Sequence, residues 1–232
     1  MWYFYRLKKA FDTVNHKILL SKLEHYGIRG LPLDWFESYL TDRKQFVSLN
    51  GESSELKDIS CGVPQGSVLG PLLFLIYIND LPNVSEKLNF FLFADDTNIY
   101  YESNDLQKLE NVINHELKQL LSLWLKVNRL ALNISKTNFL IFHSKQRRLD
   151  HNVTLKLDKK ALSQKDCIKY LGVFVDCHLD WKHHISTVSK KVSRSIGVMY
   201  RIRKYVDLHV LKSVYYSLIY SHCLCHSSLG LG

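Results

Sequence analysis

The sequence NFFLFADDTNIYY, residues 89–101, places two adjacent aspartates, Asp95 and Asp96, between two apolar runs. Aromatic and β-branched runs on either side of a short polar break are typical of a β-hairpin. Two neighbouring carboxylates at a hairpin tip repel each other unless a cation lies nearby. Mg²⁺ favours one or two carboxylates together with phosphate oxygens, whereas aspartate is also common in ordinary turns. The residues alone leave both interpretations open.

The segments around this hairpin predict an α+β fold. Without the insert at residues 13–61, the order is strand, helix, strand, strand, helix, strand. This split βαβ order forms a small antiparallel sheet with helices on one face. The predicted elements are a strand at 1–7, helices at 15–27 and 33–40, a hairpin at 44–60, a loop at 62–71 opening a helix to 79, strands at 89–93 and 97–101, a helix from 105, a strand at 138–143, a hairpin-like pair within 153–176 and a basic helical segment at 185–218.

Turn and cap residues predict where several of these elements begin and end. Asn15 and Asp105 are good N-caps for the helices that follow them, and Gly27 is a good C-terminal stop. Asn50-Gly51 is typical of the left-handed turn in a two-residue hairpin. These signals are local and do not depend on the tertiary fold.

Composition limits the classes of protein to which the chain can belong. Its 232 residues include 31 Lys and Arg against 22 Asp and Glu, a formal net charge of +9, which favours a polyanionic partner. The longest apolar run, residues 71–78, is too short to span a bilayer. The five cysteines are odd in number and scattered, which argues against a disulfide framework. We expect an intracellular protein, cytoplasmic or nuclear, with no signal peptide, no transmembrane segment and no membrane partner.

Five motifs follow one another along the chain: AFDTVNH at 10–16, GVPQGSVLGP at 62–71, FADD at 93–96, NISKT at 133–137 and YLGV at 170–173. In this order they resemble the motifs of reverse transcriptases from non-LTR (LINE-type, jockey-like) retrotransposons. The FADD hairpin resembles the catalytic turn of these RNA-directed DNA polymerases. The resemblance runs from about residue 6 to residue 226, nearly the whole chain.

The resemblance implies a division of the chain into three segments. Residues 1–150 correspond to a polymerase palm, a ferredoxin-like antiparallel sheet with helices. Residues 151–180 correspond to a primer-grip-like hairpin region, and residues 181–232 to a basic helical thumb-like segment. Fingers are absent from this pattern, so the chain is expected to be truncated at both ends. Missing fingers or a full-length copy would then act in trans.

The resemblance also implies a two-metal nucleotidyl transfer, with Mg²⁺ or Mn²⁺ as the cofactor. Asp95 and Asp96 match catalytic metal ligands, and a third carboxylate is expected on the first strand, five residues before Phe11. That position holds Arg6. Asp12 is a poor replacement, because six residues of strand span about 20 Å. We therefore expect polymerase activity to be very weak or absent.

Further residues match positions that bind the nucleotide in this family. Phe11 matches the aromatic residue beneath the sugar, while Gln65 and Gly66 match the loop beside the incoming dNTP. Lys136 matches a lysine near the pyrophosphate, a candidate general acid in catalysis. Each has an ordinary alternative: core packing for the aromatic ring, a plain loop for the glycine and a solvated side chain for the lysine.

The C-terminal region matches parts that hold the DNA primer and the RNA template. Residues 182–212 contain eight basic side chains and one acid, Asp207, which gives +7 of the net +9. Contacts of Lys and Arg with phosphates make such binding salt-dependent. The alternative is a solvated helix face. The implied primer–template contacts are Leu171, Gly172, Lys190, Lys191, Arg194 and Arg201.

The cysteines and histidines predict no zinc site. The spacing of His222-Cys223-Leu224-Cys225-His226 is not that of a usual structural site, and no second Cys/His pair follows. Cys177-His178 and His183-His184 are interpreted as isolated pairs that pack against helices.

Three hypotheses from different classes follow. The chain is an RNA-directed DNA polymerase fragment with residual activity, a non-catalytic module that binds RNA–DNA duplexes, or a transposon fossil with no selected role. Replacement of the carboxylate lost at Arg6 by another group would favour the first, salt-sensitive duplex affinity the second, and poor folding with low expression the third.

Overall fold

The computed structural model describes residues 1–147, 149–157 and 160–222. The chain forms two compact units. The first consists of Met1–Ile141 and Lys145–Lys165, and the second of Phe142–Ser144 and Asp166–Gly232. The acidic hairpin and the first four motifs belong to the first unit. The YLGV motif and the basic segment belong to the second.

The described elements are short strands and seven α-helices. The strands are β1 (Trp2–Arg6), β2 (Lys44–Gln45), β3 (Ser48–Leu49), β4 (Glu52–Ser53), β5 (Lys57–Asp58), β6 (Asn89–Phe93), β7 (Asp96–Tyr100), β8 (Asn138–Leu140), β9 (Lys156–Leu157), β10 (Lys160–Ala161), β11 (Ser163–Gln164), β12 (Cys167–Tyr170) and β13 (Val173–Asp176). The helices are α1 (His16–His25), α2 (Leu31–Leu40), α3 (Leu69–Ile78), α4 (Leu106–Glu116), α5 (Ser122–Val127), α6 (Lys182–Ile202) and α7 (Leu208–Tyr215).

A five-stranded sheet in the order β11-β8-β1-β7-β6 organises the first unit. The central strand β1 pairs antiparallel with both β7 and β8, and β6 pairs antiparallel with β7. The predicted α+β fold and split βαβ order are therefore confirmed. One edge differs from the prediction of a purely antiparallel sheet, because β11 pairs parallel with β8. A two-residue strand carries too little pattern to reveal its partner.

The core of the first unit forms around β1 and the helices α1 and α3. Tyr3 and Tyr5 on β1 are almost fully buried, and burial raises the pKa of both phenols so that they stay neutral. Phe74 and Tyr77 on α3 are also fully buried. The Tyr77 hydroxyl donates to the Asn128 carbonyl oxygen at 2.6 Å, which satisfies its buried polar atom.

The predicted caps and turns are confirmed. The Asn15 side chain accepts from the backbone N–H of Ile18 at 3.1 Å, at the start of α1. The Asp105 side chain likewise accepts from Gln107 N–H at 2.8 Å, at the start of α4. The turn between β3 and β4 lies at Asn50-Gly51, with φ of 52° and 87°. Helices α4 and α5 are joined by a π-helical turn, Leu117–Leu121.

The second unit contains the β12–β13 hairpin and the helices α6 and α7. The predicted helical segment at 185–218 consists of two helices, α6 and α7, because the chain leaves helical geometry after Ile202 and a new helix begins after Asp207. The Asp207 side chain accepts from Val210 N–H at 2.8 Å and so caps α7. Within the described ranges, no helix has both the length and the apolar character needed to cross a bilayer.

Candidate active site

The acidic pair lies at the tip of the β6–β7 hairpin. Phe93 pairs with Asp96, so the turn between the strands is Ala94 and Asp95. Ala94 has a φ of 49°, which allows the chain to reverse within two residues. The turn brings the two carboxylates next to each other at the end of the sheet.

Arg6 lies directly opposite Asp96, because β1 and β7 are paired in that register. Its Nε lies 2.9 Å from Asp96 Oδ1 and 3.4 Å from Asp95 Oδ2. The Nε–H does not point at either oxygen, so these contacts are ion pairs and not hydrogen bonds. Nη2 donates to Asp96 Oδ2 at 3.4 Å. One guanidinium thus faces both carboxylates.

The strength of this ion pair is moderate. The side chains of Arg6, Asp95 and Asp96 are 42%, 36% and 34% exposed, so water screens their attraction. Exposed pairs contribute about 1 kcal/mol or less to stability. The main effect of the guanidinium is local, because it offsets the repulsion between two adjacent negative charges.

The residues at this tip do not fit a two-metal centre in the arrangement seen. A divalent cation on the carboxylates would stand close to the Arg6 guanidinium, and about 4 Å from a unit charge at moderate dielectric the repulsion is several kcal/mol. The Asp12 carboxylate instead contacts the Gly/Pro-rich loop, where its Oδ1 accepts from Gln65 Nε2 at 2.7 Å. The chain itself provides the positive charge that the carboxylates need.

A cleft of about 450 Å³ opens beside the tip. Four of the predicted site residues line it: Phe11, Gln65, Asp95 and Lys136. Arg6 lines the same cleft. The Phe11 ring also packs on Phe74, with ring centroids 4.5 Å apart, so the core-packing interpretation of this ring is confirmed. Lys136 is exposed on a 3-10 turn, Ile134–Lys136.

Close backbone contacts hold the Gly/Pro-rich loop against the turn at residues 10–14. Gly62 N–H donates to Val14 O at 2.7 Å, and His16 Nε2 donates to Gly62 O at 2.7 Å. A Cβ on Gly70 would lie 2.5 Å from Pro64 O, so that glycine is required for packing.

The glycine predicted to contact the nucleotide has a different environment. Gly66 has a φ of 81°, and a Cβ there would have open space around it. Its backbone conformation therefore requires glycine, whereas its surroundings do not. Gly66 does not line the 450 Å³ cleft, although its neighbour Gln65 does.

Several cleft residues were missed by the sequence analysis. Lys8, Lys9 and Asn133 line the same cleft. A neighbouring cleft of about 550 Å³ shares Lys9 and Gln65 and adds Arg43 from the insert. A Lys-Lys pair directly after the first strand was a usable signal, because the strand ends at the acidic tip. The contribution of Arg43 depends on how the insert folds and had no signal.

The remaining predicted residues belong to the second unit. Leu171 and Gly172 form the turn between β12 and β13, with φ of 45° and 91°. Four predicted cations are exposed on α6, and three of them share one helix face because they are spaced by four and seven residues. Lys190, Arg194 and Arg201 form the shared face, and the fourth cation, Lys191, lies beside it.

The prediction that Cys177 and His178 are isolated from other metal-ligating residues is wrong. The second unit places His143 beside them, and the three offer ligand atoms within 4.8 Å of one another. The sequence could not show this, because the residues are separated by more than thirty positions. The Cys/His motif at 222–226 lies largely outside the described residues.

Comparisons with known proteins agree with the motifs. The model of the family described as reverse transcriptase (RNA-dependent DNA polymerase) matches residues 3–175. The probable RNA-directed DNA polymerase from transposon X-element of Drosophila melanogaster is 29% identical over 204 residues, which cover 85% of this chain and 22% of that protein. The RNA-directed DNA polymerase from mobile element jockey of the same species is 27% identical over 203 residues, 84% of this chain and 22% of that protein.

A solved structure of similar fold is the apo telomerase from Candida tropicalis truncated from its C-terminal domain. The TM-score is 0.51 at 14% identity, over 78% of this chain and 34% of that one, and at this identity the likeness concerns the fold alone. The chain spans about a fifth of the length of the curated relatives it matches. It belongs to the reverse transcriptase family, and the relatives it resembles are the RNA-directed DNA polymerases of non-LTR retrotransposons.

Proposed function

We propose that this chain is a retrotransposon reverse transcriptase domain whose nucleotidyl transfer is impaired because Arg6 stands where a metal-binding carboxylate is needed. One observation carries the proposal: the Arg6 guanidinium pairs with Asp95 and Asp96 at 3.4 and 2.9 Å. Two-metal transfer needs divalent cations, Mg²⁺ or Mn²⁺, held by carboxylates. In this fold the carboxylates would come from β1 and from the tip of the β6–β7 hairpin. Here β1 contributes the positive charge of Arg6 instead.

The cleft beside the tip retains groups suited to a dNTP. Lys8, Lys9 and Lys136 supply positive charge for a triphosphate, and the Phe11 ring forms an apolar floor for a sugar. A ring in that place would exclude a ribose 2′-hydroxyl by contact. Gln65 is held by Asp12 at 2.7 Å, which fixes its amide at the cleft edge. We therefore expect the chain to bind a dNTP even though it transfers nucleotides weakly or not at all.

The domain assignment is part of the same proposal. Residues 1–150 act as the palm, residues 151–180 include the primer-grip-like hairpin, and residues 181–232 act as the thumb-like segment. The central sheet that carries the acidic tip supports the palm assignment. The left-handed turn at Leu171-Gly172 and the exposed cations of α6 support a role with primer and template.

Primer extension tests the role of Arg6. The natural chain and Arg6→Asp are compared on an oligo(dT)–poly(rA) substrate with Mg²⁺ or Mn²⁺. We expect extension by Arg6→Asp and little or none by the natural chain. Lys17→Asp is the matched control, because it makes the same charge change on an exposed site of α1. Extension by the natural chain at the rate of Arg6→Asp would overturn the proposal.

A binding measurement separates the metal site from other requirements of polymerisation. Mn²⁺ binding, followed by electron paramagnetic resonance, needs neither primer nor the rest of a longer protein. Arg6→Asp is expected to bind Mn²⁺ at the hairpin tip, whereas the natural chain and Lys17→Asp are not. Equal Mn²⁺ affinity of the natural chain and Arg6→Asp would show that the guanidinium does not block the tip.

A second candidate function, a non-catalytic nucleic-acid-binding module, is favoured by the basic face of α6. Lys190 and Arg194 are exposed one turn apart, with Arg201 on the same face. Affinity for an RNA–DNA duplex should fall with salt, and Lys190→Glu with Arg194→Glu should reduce the logarithmic salt slope by about 0.9 per lost phosphate contact. Lys126→Glu, on an exposed site of α5, is the control, and an unchanged slope in the double variant would exclude this face.

A further inference from the structure

Three metal-ligating side chains meet in the second unit, away from the acidic tip in sequence. His143 follows β8, and Cys177 and His178 follow β13. The backbone N–H of His143 donates to the backbone carbonyl oxygen of Cys177 at 3.1 Å, which joins the two segments. The two imidazole rings lie 4.6 Å apart between centroids, nearly perpendicular, at 79°.

We propose that His143, Cys177 and His178 bind a thiophilic divalent cation, with Zn²⁺ as the best match. One thiolate and two imidazoles are ligands that Zn²⁺ favours, whereas Mg²⁺ and Ca²⁺ favour oxygen. The ligand atoms lie within 4.8 Å of one another. Neighbouring ligands of a tetrahedral Zn²⁺ lie about 3.5 Å apart, so side-chain movements of about 1 Å complete the geometry.

Both histidines already have the tautomer that a metal ligand needs. His143 Nδ1 lies 3.1 Å from Ser144 O, and His178 Nδ1 lies 3.0 Å from His143 O. A carbonyl oxygen only accepts, so each Nδ1 donates its hydrogen and each Nε2 keeps a lone pair. Metal-binding histidines commonly donate their other ring N–H in this way, which orients the ring.

Asp176 holds the loop that carries Cys177 and His178. Its carboxylate accepts from the backbone N–H groups of His178, Asp180 and Trp181 at 3.0, 3.1 and 2.9 Å. Trp181 has a φ of 60°, an uncommon conformation for a tryptophan, and the carboxylate stabilises it. Hydrogen bonds of the protein itself therefore organise the ligand-bearing loop, which lowers the entropic cost of binding a metal.

The charges around the thiol also favour a cation. Asp176 precedes Cys177 in the chain, and the Asp166 backbone carbonyl oxygen accepts from the Cys177 backbone N–H at 2.8 Å, so two acidic residues create a negative potential near the thiol. The same negative potential attracts a divalent ion. Cys167 lies on the facing strand, opposite Asp176, but its sulfur is not within the cluster. The proposed site therefore has three protein ligands and a fourth position for water.

Cobalt substitution tests the site directly and does not depend on polymerase activity. The tag-free chain, stripped of metal, is titrated with Co²⁺ and then with Zn²⁺. We expect one equivalent to bind, with a thiolate-to-cobalt charge-transfer band that Zn²⁺ removes. Cys177→Ser should lose the band, and His178→Asn should lower the affinity at least about tenfold. Cys61→Ser and His209→Asn, both at exposed positions, are the matched controls.

The C-terminal motif provides the decisive comparison. The double variant Cys223→Ser, Cys225→Ser removes the other cysteine pair and is expected to keep both the stoichiometry and the band. Loss of the band in that variant, or its retention in Cys177→Ser, overturns the proposal. The far-UV circular dichroism of each variant is recorded, and His143→Asn provides a second loss-of-ligand variant should Cys177→Ser misfold.

Discussion

Two clusters of side chains of metal-ligating type differ in the charge around them. One is the acidic tip of the first unit, Asp95 and Asp96, and the other is the Cys–His loop of the second unit, which carries Cys177 and His178 beside His143. At the tip, Arg6 pairs with Asp95 and Asp96, so the chain supplies the cation itself. At the loop, the charged groups that act on the Cys177 thiol are the carboxylates of Asp166, Asp176 and Asp180. A cluster with its own arginine is stable without metal, whereas a cluster among carboxylates gains from one. We infer that the charge around the ligands decides whether such a cluster needs a metal.

The two units also differ in how much apolar surface they bury. The continuous core cluster lies entirely in the first unit. In the second unit, Val175 and Ile219 are the buried apolar residues among those described, and tyrosines such as Tyr200 and Tyr205 are exposed. Units with small cores commonly depend on a metal or another cross-link for stability. The second unit therefore has more to gain from a bound ion.

The largest expected effect is on the local stability of the Cys–His loop. Zn²⁺ at 100 to 1,000 times its dissociation constant stabilises a native state by about 3 to 4 kcal/mol. Amide hydrogen exchange at residues 166–181 should slow by about two to three orders of magnitude with Zn²⁺. Exchange at residues 89–100 should not change. Equal slowing at both places, or slowing in Cys177→Ser, would contradict the comparison.

A smaller effect is expected from the carboxylate that supports the loop. Asp176→Asn keeps the size of the side chain but weakens acceptance from three backbone N–H groups. Loss of such an outer interaction typically costs about 10- to 100-fold in metal affinity. Competition with a zinc chelator measures the change. Asp150→Asn, on an exposed site of the first unit, serves as the control. If the Zn²⁺ affinities of the two variants agree within twofold, Asp176 does not support the metal site.

The sequence predicted what local chemistry determines and missed what depends on distant pairing. Asn15, Asp105 and Asn50-Gly51 were found because a cap or a turn depends on neighbouring residues. The motifs predicted that Phe11 and Lys136 accompany the acidic pair, and the fold brings both to the cleft beside it. The roles of these residues in catalysis stay predictions.

The misses share one physical cause. The parallel pairing of β11 and the approach of His143 to Cys177 depend on contacts between segments far apart in the chain. No periodicity or cap reports such a contact. The resemblance placed Arg6 beside the acidic pair, but its direct ion pair with the two carboxylates follows only once the register of Arg6 opposite Asp96 is known.

Removing the charge of Arg6 tests whether this side chain replaces a metal ion in stabilising the acidic tip. Arg6→Met keeps an apolar stem but leaves two adjacent carboxylates without a cation. The free energy of unfolding should fall by about 1 kcal/mol, the size expected for an exposed ion pair. Millimolar Mn²⁺ should restore part of it, because the ion takes the place of the guanidinium. Urea titration measures both, with Lys17→Met as the control, and no loss of stability would show that the pair contributes nothing.

The smallest effect separates charge from geometry at the same position. Arg6→Lys keeps the positive charge but replaces a planar group with five N–H donors by a single ammonium group on a flexible stem. Arg6 reaches one oxygen of Asp95 and both of Asp96, and a lysine would reach fewer at once. The loss should be a few tenths of a kcal/mol and should shrink with added salt, since these side chains are at least one-third exposed. Urea titrations at low and high KCl measure it. If Arg6→Lys costs as much as Arg6→Met, the guanidinium acts through its directed contacts and charge compensation alone does not explain the tip.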